Sequence, residues 1–167
     1  SSLSATGNVY TLGIGLSGTP NGIEVLTVTL VDSAIYDAAS NIASVTQNNN
    51  STTLFDQKAP TITSVSPSSD NSSIIVIFSE AVFSKSDGSG VLDTADFAFS
   101  IAGGNTTLAN TNPTSISSSD STYTLGLSLS GIPNGSEVVT VALVDSAIFD
   151  AAGTAASTTQ TNNTTNL

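Results

Sequence analysis

The chain has 167 residues, 38% of them hydrophobic and only 9% charged, and its two basic residues, Lys58 and Lys85, leave a formal net charge of −11. Such a surface repels phosphate backbones and anionic lipids, so nucleic acid and direct membrane insertion are argued against as partners. With no His, Cys or Arg, it also lacks the commonest general base, the strongest nucleophile and the usual anion clamp, and it reads as a non-catalytic protein.

Ser and Thr make up about a third of the residues, so solubility rests on hydroxyls and amides instead of ion pairs. Apolar residues that alternate with Thr and Ser point to a folded, β-rich chain and not to disorder. Neither a signal peptide nor an apolar run of spanning length is visible, which leads us to expect a mature or internal segment of something longer.

The first long feature, residues 10 to 54, recurs at 123 to 167 with 31 of 45 positions identical and a period of 113 residues. Residues 1 to 54 therefore read as the second half of one repeat, and residues 55 to 167 as a complete one. In the complete repeat, 61 to 67 and 73 to 83 are predicted as the first two strands, separated by the turn cluster SSDN. A polar loop, SKSDGSGVLDTAD, precedes strands at 96 to 103 and 106 to 109. A strand over 121 to 130 leads into GIPNG, where Pro and Gly suit a tight turn. Strand 136 to 144 and the tail complete the set. About seven short strands and no helix predict an all-β fold, an Ig-like β-sandwich in tandem repeat.

Differences between the copies preserve bulk: Ile14 becomes Leu127, Leu26 becomes Val139 and Tyr36 becomes Phe149. The rings at 36 and 149 are therefore expected in the core. The copies supply two second halves but one first half, and an orphan half would expose an apolar face and strand edges. These residues are thus expected to be a window of a longer tandem array, with another first half ahead of Ser1.

The series KAPTITSVSP, IIVIFSEAVF, DTADFAFSIAGG, YTLGLSLSGIPNGSEVVTV and IFDAAG resembles the bacterial immunoglobulin-like tandem repeats of giant secreted surface proteins and adhesins. The resemblance covers the repeat from about Phe55 and, in its second half, the first 54 residues. It implies a location outside the cell or at the cell surface, as a structural module of an extracellular fibre, stalk or filament, with adhesion as the biological role and neighbouring repeats of the same or identical chains as partners. The alternative it leaves open is a module that itself binds glycans or a partner protein. Repeats of this kind often carry DAAGN; here the segments are DAASN at 37 to 41 and DAAGT at 150 to 154.

No cofactor is required by this reading, but calcium suits a chain whose ligands are nearly all oxygen. One candidate set is Glu80, Asp87, Asp93 and Asp96, with Gly88 and Gly90 letting the loop fold back. A second is at the ends of repeats, where Asp37, Asp56 and Asp150 are candidates. The alternative for all of them is capping of turns through Asx hydrogen bonds. Asp-Ser/Thr-apolar patterns make Ser33, Thr94, Ser121 and Ser146 candidates for O-linked sugar, and N-x-Ser/Thr sequons begin at Asn49, Asn50, Asn71, Asn105, Asn134, Asn162 and Asn163.

Overall fold

The computed structural model describes residues 2–167. It is nearly all-β, with antiparallel pairing throughout and, among the described residues, no α-helix. The chain forms two compact units, Ser1–Lys58 and Ala59–Leu167.

In the first unit, β1 (Leu3–Thr6) and β2 (Val9–Leu12) form a hairpin that sets Leu3 opposite Leu12. Gly7, at φ +60°, takes the left-handed position of its turn. The other pair is β3 (Val25–Thr27) with β4 (Ser51–Thr53).

The second unit opens with β5 (Ile62–Pro67) and β6 (Ser73–Phe78), joined at a turn that Asp70 organises. Its Oδ1 accepts the hydroxyls of Ser68 and Ser72 and the Ser72 N–H, and these bonds hold the carboxyl down at about 2. A 3-10 turn at Thr94–Asp96 leads into β7 (Phe97–Ala102), followed by β8 (Thr107–Leu108), β9 (Ile116–Ser119) and β10 (Thr122–Gly126). The last elements are β11 (Leu129–Ser130), β12 (Val138–Leu143) and β13 (Thr164–Asn166). They assemble as β5-β6-β10-β9, β13-β12-β7 and the small pair β11-β8.

Alternation decides which side chains enter the core. Ile74, Val76 and Phe78 of β6 face inward with Tyr123 and Leu125 of β10. Phe97 and Phe99 of β7 and Val139, Val141 and Leu143 of β12 join them in one apolar cluster. Phe78 and Tyr123 meet edge to face at 5.7 Å, and Phe97 packs 6.2 Å from the same tyrosine. Aromatic pairs of this kind add about 0.5–1.5 kcal/mol each beyond the area they bury.

Several sequence expectations are refined. The predicted strand 73 to 83 forms a continuous strand only to Phe78, with Phe83 in an isolated bridge to Phe149, and residues 121 to 130 divide into β10 and β11 because their partners differ, β6 and β9 for one and β8 for the other. Strand β9 was not predicted; its ISSS run is too polar and exposed to announce itself. Tyr36, expected in the core, is exposed, and Phe149 is only half-buried; the fully buried residue of that plug is Ile148. For Phe149 the reason is local: it exchanges both backbone hydrogen bonds with Phe83, at 2.8 Å each, and its neighbour Ile148 points inward.

Candidate functional site

The two copies of the second half share a set of equivalent hydrogen bonds. Asn163 Nδ2 donates to the Val141 carbonyl at 2.8 Å, and Asn50 Nδ2 to that of Val28 at 2.7 Å. Leu167 N–H donates to the Glu137 carbonyl at 3.0 Å, and Leu54 N–H to that of Glu24 at 2.9 Å. Gln160 reaches the Ser157 carbonyl as Gln47 reaches that of Ser44. Ser146 and Ser33 share a left-handed backbone, φ 56° and 55°.

What differs is the environment. Tyr123 is 6% exposed and Leu125 0%, while their counterparts Tyr10 and Leu12 are 64% and 50% exposed. In the second unit the cover comes from the first half of the repeat, whose β6 and β7 also pair with the open edges of β10 and β12.

A buried carboxylate fastens those halves. Glu137 follows the PNG turn and is fully buried; its Oε1 accepts the N–H groups of Asn105 at 3.0 Å and Thr106 at 3.3 Å, and its Oε2 that of Asn134 at 2.9 Å. Burial pushes its carboxyl up, but the backbone donors at Asn134, Asn105 and Thr106 outweigh it and hold the group down at about 2. Gly104 makes room for this clamp, since a Cβ there would collide with the Glu137 side chain. Glu137 was not singled out from sequence. The available signal was its position, two residues after an Asn-Gly turn, kept as Glu24 in the other copy.

The predicted metal-ligand residues fall into several settings. Asp87 closes a small turn, its Oδ1 accepting the N–H and hydroxyl of Ser89, chiefly the hydroxyl holding its carboxyl below the usual range. Asp93 and Asp96 form a reciprocal cap on the 3-10 turn, Ala95 N–H donating to Asp93 and Asp93 N–H to Asp96. Asp56 accepts the Lys58 N–H at 2.9 Å. Asp37 spends both oxygens locally: Oδ1 accepts the N–H groups of Ala39 and Asn41, and Oδ2 accepts the Asn41 side-chain amide at 2.8 Å. The Asn41 amide, then its N–H, hold this carboxyl below the usual range.

Asp150 repeats only part of that pattern. Its Oδ1 accepts the N–H groups of Ala152 at 2.8 Å and Thr154 at 2.7 Å. Thr154 stands where the first copy has Asn41, and the fully buried Oδ2 has no hydrogen-bond partner. A carboxylate oxygen of Glu80 lies within 4.8 Å of one from Asp150.

Among the candidates for O-linked sugar, Ser33 and Ser146 are exposed, and Thr94 and Ser121 are half-buried. Asn50 and Asn163 are half-buried as well, their amides engaged with the backbone. No helix among the described residues is long and apolar enough to cross a membrane. Comparison of the chain with protein families, curated proteins and solved structures finds no match.

Proposed function

We propose that this chain is a non-catalytic structural repeat module of an extracellular bacterial fibre, stalk or filament, with each complete repeat an Ig-like β-sandwich and adhesion as the role of the assembly. The observation that carries this reading is the second half of the repeat, reproduced 113 residues apart with several equivalent backbone and side-chain hydrogen bonds. A chain that restates a fold rather than elaborating a cleft is organised as a tandem array, in which stability sums over repeats and their interfaces.

The sandwich reading is supported by the inward faces of β5-β6-β10-β9 and β13-β12-β7, which contribute to one apolar cluster. The non-catalytic reading is supported by the lack of His, Cys and Arg and by carboxylates engaged in turns and caps. Partners on this view are neighbouring repeats.

Concatenating residues 55 to 167 into chains of increasing repeat number tests the proposal. X-ray scattering and electron microscopy should give an extended particle whose longest dimension grows in proportion to that number. Compaction into globules of nearly constant length would overturn the reading.

A further inference from the structure

The face that unit 2 buries is open in unit 1, and its chemistry names its occupant. A trough of about 640 Å³ is lined by Leu3, Tyr10, Leu12, Ile14, Leu26 and Val28. Their counterparts one period later, from Ile116 to Val141, pack in or against the core cluster that the first half completes with Ile74, Val76, Phe97 and Phe99. The backbone is equally open: among the described residues β2 pairs with β1 alone and β3 with β4 alone, where β10 and β12 each have a second partner. Glu24 is exposed and keeps the bond from Asn21 N–H at 3.0 Å, while the donors equivalent to Asn105 and Thr106 belong to a first half.

We infer that unit 1 is a receptor for a polypeptide segment of first-half pattern, that of residues 59 to 113, which adds one strand beside β2 and one beside β3 while its apolar side chains fill the trough. Strand addition of this kind combines main-chain hydrogen bonds with side-chain pockets. The inference rests on the structural-repeat reading and supplies the partner for it.

The test joins a copy of residues 59 to 113 directly ahead of residue 1, the order in which residue 113 precedes 114 in unit 2. Hydrogen exchange at Val9–Leu12 and Val25–Thr27 should slow on the order of 100-fold or more, with loss of apolar-dye binding. Unit 2 amides report that the protein is folded. The same extension with Asp at the added copy's equivalents of Ile74 and Val76 should leave unit 1 unprotected. Unchanged exchange in the extended chain would overturn the inference, as would protection of unit 1 in the unextended chain through self-association. Fibres formed by concatenated repeats would survive either result, so the two readings fail separately.

A second inference stands on Asp150. In the first copy Asn41 satisfies both Asp37 oxygens; in the second Thr154 leaves one oxygen of a fully buried carboxylate unpaired, with Glu80 alongside. We propose that Asp150 and Glu80 hold a calcium ion. Two oxygens bound at 2.3–2.6 Å can lie up to about 5 Å apart, so the pair is compatible with one shared cation, with backbone carbonyls or water completing the shell.

Calcium chloride should raise the melting temperature of the full chain, with a Kd on the order of 10⁻⁴–10⁻³ M, and excess chelator should reverse it. Thr154→Asn should abolish the shift and raise the calcium-free melting temperature, because Asn restores the bond seen at Asp37 and satisfies the buried oxygen. Asp150→Asn should abolish it too. No shift in the wild type, or an equal shift in Thr154→Asn, would overturn the proposal.

Discussion

Glu137 accepts the N–H of Asn105, 32 residues earlier in the chain, at 3.0 Å, and so ties the second half of the repeat to the first. The bond is partly buried and charge-assisted, which makes it strong and pH-dependent.

The folded carboxyl titrates at about 2 against an ordinary 4.5. A depressed folded value means that the unfolded chain takes up more protons between those limits. The stabilisation is complete above about 4.5 and is lost as pH falls toward about 2. Asp70, also held down at about 2, acts in the same direction, whereas Asp96, pushed up by burial, opposes them. Thermal melts by circular dichroism should show unit 2 weakening across this window. Glu137→Gln should be less stable at neutral pH and show a flatter acid limb; an unchanged limb would separate Glu137 from acid stability.

The same residue type at the same repeat position should cost very different amounts. Leu125 is 0% exposed in the core, so Leu125→Ala should destabilise unit 2 by about 2–5 kcal/mol. Leu12→Ala, at a half-exposed site, should stay within about 0.5 kcal/mol. Urea denaturation of both variants checks the contrast, and comparable costs would mean that Leu12 is covered in solution.

Tyr123 offers a finer comparison. Its hydroxyl donates to the buried Val82 carbonyl at 3.2 Å, and burial, then the Asp96 charge, push its phenol above the usual range. Tyr123→Phe should lose about 0.5–1.5 kcal/mol, the net worth of one such hydrogen bond. Tyr10→Phe should change little. Equal losses in denaturant midpoints would contradict the assignment of Tyr123 to the seam.

These contrasts explain which features the sequence made legible. The period, the Pro-Asn-Gly turn and strands such as Phe97–Ala102 and Val138–Leu143 follow from alternation and turn chemistry, which act over a few residues. The Glu137 clamp does not, because two of its three donors lie 31 and 32 residues away, and its place after the Asn-Gly turn does not by itself mark a buried glutamate. The exposed ring of Tyr36 shows the same limit from the other side. Its bulk is retained between copies, but burial depends on the half that covers it.

The polar loop before β7 gives the sharpest test of capping against metal ligation. Asp93 Oδ1 accepts the Ala95 N–H at 2.7 Å, and Asp96 Oδ2 accepts the Asp93 N–H at 2.8 Å. Asp96 is pushed up by burial first, then drawn down by that N–H and raised again by the Asp93 charge. If these bonds are the purpose of the pair, Asp93→Ala should cost about 0.5–2 kcal/mol, as cap removals do. That cost should be the same in calcium and in chelator, since a cap needs no ion. A cost that appears only with calcium would instead make the loop a ligand set, and would move the cation away from Asp150 and Glu80.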